Sequence, residues 1–246
     1  LAVSVTGCAG NATSSSDSTS ASSVAESSDT STQTSSDASS EDESKEESSQ
    51  EESKDLEANY TKYTLDGDLT QHMIDMSRLN EGNKVRLANV IKKLKNGEEV
   101  TVGFIGGSIT QGTSAGNDLC YAKLTADWLQ KTYSNAKINY VNAGIGATGS
   151  YIGVHRVAND LLSKKPDLVF VEFSVNDTTE NTERNKKSYD GLLRTIWKSS
   201  TNPAIITIAT TQEDGTSFQD QHAEIVKHYD LPMISYRNTI LDTIKH

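Results

Sequence analysis

Gly106-Gly107-Ser108-Ile109-Thr110 follows directly on the short apolar run Val100-Thr101-Val102-Gly103-Phe104-Ile105. A strand that ends in two glycines and then a serine can hold a hydroxyl at the rim of a sheet, where a substrate can reach it. Such a hydroxyl is a weak nucleophile until a base takes its proton. The carbonyl oxygen it attacks gains charge and needs hydrogen-bond donors already aimed at it. Two further turns carry groups able to donate: Asn142-Ala143-Gly144-Ile145-Gly146-Ala147-Thr148-Gly149-Ser150, and Ser174-Val175-Asn176-Asp177. An asparagine amide donates without adding charge, and a glycine-rich turn exposes backbone N–H groups. The chemistry within reach is acyl transfer through a serine.

Other chemistries fit poorly. Glycines 103, 106, 107 and 112 do not make a G-x-G-x-x-G turn, and no Gly-Lys-Ser/Thr follows a glycine-rich loop. The G-x-S-x-G elbow fails because Ile109-Thr110 follows the serine. No H-E-x-x-H or clustered His/Cys set indicates a metal, and no cofactor is implied. Cys120 is expected as a buried small residue near a helix start, with a catalytic thiol as the alternative. Glu172 lies inside an apolar run, where a buried carboxylate must be paired or sit near the rim. Asp177 reads as a cap for the following helix or as a residue that shapes the site.

These turns need a frame. Strands are expected at 99–105, 137–142, 168–173, 204–209 and 232–236. Helices are expected at 83–95 and near 119–132, 152–164, 185–199, 217–229 and 237–245. Several strand runs are continuously apolar, as in a parallel sheet covered by helices on both faces. The expectation is a three-layer α/β/α sandwich around a mostly parallel five-stranded sheet of flavodoxin-like type. In such sheets ligands bind beyond the carboxyl ends of the strands, where all three turns fall.

With order and spacing in place, the three blocks resemble those of the SGNH/GDSL hydrolases. Gly106-Gly107-Ser108-Ile109-Thr110 is similar to the first block, with Gly107 where many members have Asp; Asn142–Ser150 is similar to the second, and Ser174-Val175-Asn176-Asp177 to the third. The Gly-Gly-Ser-Ile-Thr start resembles bacterial carbohydrate-esterase-like members. The resemblance implies Ser108 as nucleophile. It implies an oxyanion hole made by the N–H of Ser108, an N–H of the second block and the amide of Asn176. The second-block donor is expected at Gly146, with Ala147 as the alternative register. The implied substrate is an acyl, above all acetyl, ester of a small molecule or polysaccharide. The alternative is a surface carbohydrate-binding lipoprotein that kept the fold without catalysis.

The resemblance also implies an Asp-x-x-His pair some eighty residues beyond Asn176, which falls past His246. Asp242 and His246 read instead as Asp-x-x-x-His inside a helical run, so the expectation is a fragment without its base, inactive by itself. His155 and Arg156 follow the second block and are candidates for the rim; His222 and His228 read as surface positions, and His72 precedes the first helix-like run at 83–95.

Ahead of the folded part, residues 9–57 hold 13 acidic side chains against Lys45 and Lys54 and no aromatic residue, a net of −11 that equals the charge of all 246 residues. A segment so polar cannot offset its ordering entropy, so 9–58 is expected as a disordered acidic linker. The folded domain, 60–246, is charge-balanced, which argues against a nucleic-acid partner. Residues 1–8 end in Val5-Thr6-Gly7-Cys8, similar to a lipobox at the end of a lipoprotein signal peptide. Cys8 would then carry lipid and anchor an extracellular domain at a bacterial cell surface, the anchor being its only contact with the membrane.

Overall fold

The computed structural model describes residues 70–178 and 182–244, the last three by backbone alone. The lipobox at Cys8, the acidic linker 9–58, residues 60–69 and His246 lie outside the described residues, as does the side chain of Asp242.

The chain begins with helix α1 (Gln71–Ser77), strand β1 (Arg78–Asn80) and helix α2 (Val85–Lys95). Then come β2 (Glu99–Gly106), a one-turn helix α3 (Ser108–Gln111), α4 (Tyr121–Thr132), β3 (Lys137–Gly144), α5 (Ser150–Asp160) and β4 (Leu168–Glu172). The remainder is α6 (Thr182–Trp197), β5 (Ala204–Ala209), α7 (Gln219–His228), β6 (Met233–Ser235) and α8 (Tyr236–Ile244).

Six strands form one sheet in the order β1-β6-β5-β4-β2-β3. The five expected strands are there and run parallel, in flavodoxin-type order. The sixth corrects the five-stranded expectation. β1 pairs antiparallel with β6 through Arg78↔Ile234 and Asn80↔Met233, with a bulge between. Three residues, two of them polar, carry no alternation long enough to read as a strand.

Alternation along β2 and β4 divides the core in two. Val100, Val102, Phe104, Leu168 and Phe170 face Val90 and Leu94 of α2 and Ala122, Ala126 and Leu129 of α4. Ile105, Val169 and Val171 face Val157 of α5, Leu192 and Ile196 of α6 and Val226 of α7. The register sets Phe104 opposite Phe170, and their rings stack at 4.9 Å. Each such fully buried side chain contributes about 1.5–3 kcal/mol. Three layers therefore hold the sheet rigidly. β2 lies between β3 and β4, so the connections leaving β2 and β3 turn to opposite sides. The topological switch point is the carboxyl end of β2, and Ser108 stands there.

Candidate active site

Ser108 opens α3, two residues beyond the end of β2 at Gly106. Its N–H is among the leading N–H groups of a helical turn, which have no intrahelical acceptor. The glycines ahead of it answer to space. A Cβ on Gly106 would come within 2.1 Å of Thr110 Oγ1 and 2.4 Å of the Glu172 carbonyl. On Gly107 it would come within 2.1 Å of Asn176 Oδ1. The Asn176 carboxamide therefore lies against the peptide that leads into Ser108, and an aspartate at 107 would displace it.

The second block reaches the same point from β3. A Cβ on Gly146 would sit 3.8 Å from Ser108 Cβ. The Gly146 N–H donates to Gln111 Oε1 at 2.6 Å, so it is already engaged. Ala147 has φ +58°, left-handed backbone that costs a non-glycine residue about 1–2 kcal/mol. The structure thus brings together Ser108, Gly146, Ala147 and Asn176. The turn is fastened by Ile145 N–H to the Gly106 carbonyl at 3.1 Å and by Asn142 Nδ2 to the Thr110 carbonyl at 2.8 Å.

Beneath the turns is a buried polar frame. Asp177 is 1% exposed; its Oδ1 accepts from Ser150 N–H at 2.8 Å, and its Oδ2 is 2.9 Å from His222 Nε2. It caps α5 through the Ser150 N–H that opens that helix, because the third turn lies beside Gly149. His222 is fully buried and stacks on Tyr189 at 3.5 Å, which corrects its reading as a surface residue. Gln219, His222, Ala223 and Val226 form the buried stripe of α7, the i, i+3, i+4, i+7 pattern that was available in the sequence. Burial holds the His222 imidazole pKa below its ordinary value, against the opposing effect of its hydrogen bond to the Asp177 carboxylate. Arg156 donates to the carbonyls of Gly106 and Ala143, joining the ends of β2 and β3 from below. His155 meets Tyr151 edge-on in a separate depression with Glu183 and Arg184. His228 is exposed at the end of α7, and His72 lies in α1.

Ser108 opens on a cavity of about 820 Å³, whose walls include Ile109, Cys120, Tyr121, Ile208, Thr210 and Tyr236. Cys120 is buried there at the start of α4, as expected. Among the described residues, no histidine lines this cavity. Glu172 lies wholly buried at the end of β4. Its Oε1 accepts from Thr210 Oγ1 at 2.6 Å and from Ser174 Oγ at 3.4 Å, while Oε2 has no hydrogen-bond partner among the described residues. Desolvation raises its pKa above the usual carboxylate value. The sequence required a partner for this acid; that the partner is Thr210, 38 residues on, only the β4–β5 pairing reveals.

Comparison with known proteins agrees with this fold. Residues 104–232 match the GDSL-like lipase/acylhydrolase family. The chain is 40% identical to a two-domain esterase active on acetylated mannans, solved with mannopentaose, at a TM-score of 0.67. That match covers 70% of this chain and 47% of the esterase, so the chain spans about half of that relative's length. An acetyl xylan esterase shares the fold at 23% identity and a TM-score of 0.50, with 58% of this chain and 80% of that one covered. An acetyl-xylooligosaccharide esterase from Geobacillus does so at 18% identity, with the same TM-score of 0.50 and the same 58% and 80% covered. No functionally curated protein matches the chain.

Proposed function

Because the chain belongs to the GDSL-like lipase/acylhydrolase family, we propose that it is a serine esterase that removes acyl groups, acetyl foremost, from polysaccharide. By kinship with the mannan-active esterase, acetylated mannan is the favoured substrate class. One observation carries the proposal: three turns from three parallel strands meet at Ser108, with the Asn176 carboxamide against Gly107 and the Gly146–Ala147 turn facing the Ser108 side chain.

In the proposed mechanism Ser108 Oγ bonds to the ester carbonyl carbon as its proton passes to a base. The oxygen that gains the charge is held by the N–H of Ser108, the N–H of Ala147 and the amide of Asn176. Ala147 is preferred to Gly146 because Gln111 already takes the Gly146 N–H, and because strained backbone recurs at ligand clamps. The sugar oxygen then leaves with the proton, and water releases the acyl group from Ser108. Arg156, Asp177 and His222 touch no reacting atom; they hold the strand ends and turns in register.

The base is placed outside the described residues. Asp242 and His246 are candidates within the sequence; an Asp-x-x-His block in a longer gene product is preferred, which would leave the 246-residue chain with little turnover. Cys8 as a lipid anchor and 9–58 as an acidic tether would hold the domain outside a bacterial cell.

A second reading, a carbohydrate-binding surface protein without catalysis, is favoured by the lack of any histidine among the described residues of the cavity wall. Acetate release from acetylated mannan separates the two. Release abolished by Ser108→Ala supports the esterase, and in this chain would refute the assignment of the base to a longer product. Mannan binding without release, even by the full gene product, supports the second reading.

A further inference from the structure

The Gln111 carboxamide has two ends, and the fold uses only one. Its backbone is fixed: a Cβ on Gly144 would lie 2.3 Å from Gln111 N and 2.7 Å from its Cα, so α3 rests directly on the end of β3. Its Oε1 accepts the Gly146 N–H at 2.6 Å and lies 3.5 Å from Thr113 Oγ1. A main-chain N–H can only donate, so the oxygen end is identified by its partner. That leaves Nε2, whose two N–H groups find no acceptor among the described residues. The side chain is exposed. The same Cβ position on Gly146 that lies 2.8 Å from Gln111 Oε1 lies 3.8 Å from Ser108 Cβ, so the amide stands beside the nucleophile on one side of the turn.

The geometry points to Gln111 as a substrate-binding residue that donates from Nε2 to an oxygen on the sugar portion of the ester, which rests on the esterase reading above. An acetyl group offers one strong acceptor, its carbonyl oxygen, and the oxyanion donors take that. The acceptor for a further fixed pair of N–H groups must therefore sit on the alcohol side: a hydroxyl, ring or glycosidic oxygen of the residue that bears the ester or its neighbour. Because the Gly146 N–H holds the amide by its oxygen, the nitrogen is oriented before substrate arrives, and less freedom is lost on binding. Gln111 selects the sugar; it takes no part in bond making.

The test is a titration of the isotope-labelled chain with mannopentaose, followed by NMR. Gln111→Glu identifies the side-chain NH2 pair by its disappearance, and it keeps an oxygen for the Gly146 N–H while removing the donor. The expected result is a saturable shift of the Gln111 NH2 pair in the wild type. In Gln111→Glu the affinity should fall about fivefold, the weight of one net hydrogen bond, while the Gly146 amide stays hydrogen-bonded and protected from exchange. An unmoved NH2 pair on titration overturns the inference, as does equal affinity in the variant. Acetylation of Ser108 by an activated acetyl ester reports on the esterase reading separately. A chain that acetylates but leaves Gln111 unmoved loses this inference alone; one that shifts Gln111 but never acetylates loses the esterase.

Discussion

Glu172→Gln should change the pH dependence of stability in a manner set by a single buried proton. The carboxyl is fully buried, bonded through Oε1 to Thr210 and Ser174, and without a hydrogen-bond partner at Oε2 among the described residues. Burial raises its pKa from an ordinary 4.5, so across the interval above 4.5 the folded chain holds a proton that the unfolded chain has released. The stabilisation is complete below 4.5 and is lost as pH rises through the raised value, with a slope of at most about 1.4 kcal/mol per pH unit. Glutamine keeps an oxygen for Thr210 and does not titrate. Its amide nitrogen takes the place of Oε2 without an acceptor, at a cost of about 1–3 kcal/mol independent of pH. Urea unfolding of both proteins from pH 4 to pH 8 should therefore give curves that converge or cross as pH rises, the wild type losing ground to the variant. His222 titrates alike in both and cancels in the difference. A constant difference across the range, or a wild type that gains on the variant with pH, would refute the assignment of a protonated Glu172.

Asn176→Ala should slow acetylation of Ser108 by about 10²–10³-fold with the fold intact by circular dichroism, the usual weight of one oxyanion donor. Ala147→Gly should relieve about 1–2 kcal/mol of left-handed strain and return about 0.4–1 kcal/mol of it as unfolded-chain entropy. Its urea midpoint should rise slightly, and a fall would show that the methyl of Ala147 packs against something the turn needs.

Much of this molecule could be read before folding. Val100–Ile105, Leu168–Phe173 and Ala204–Ala209 are continuous apolar runs, and burial on both faces makes such runs legible. Ser108 and Asn176 were visible because a strand end followed by an unusual polar residue is a local pattern. What was hidden is what depends on distant pairing. β1 exists because Arg78 and Asn80 find β6, more than 150 residues away. The Gln111 hold on Gly146 joins positions 35 apart and leaves no periodic trace. His222 was misplaced because a histidine on an amphipathic helix looks polar, and its burial depends on distant partners, Asp177 at Nε2 and Tyr189 on the ring face.

The central claim is that Ser108 is a nucleophile held in an oxyanion hole, and it can be tested even without an efficient base, since an oxyanion hole and substrate binding together retain about 10³–10⁴-fold of catalysis. The direct measurement is intact-protein and peptide mass spectrometry after exposure to an activated acetyl ester. The prediction is one acetyl group, on Ser108, absent in Ser108→Ala and slow to leave. Acetylation confined to other residues, or equal labelling in Ser108→Ala, would contradict it.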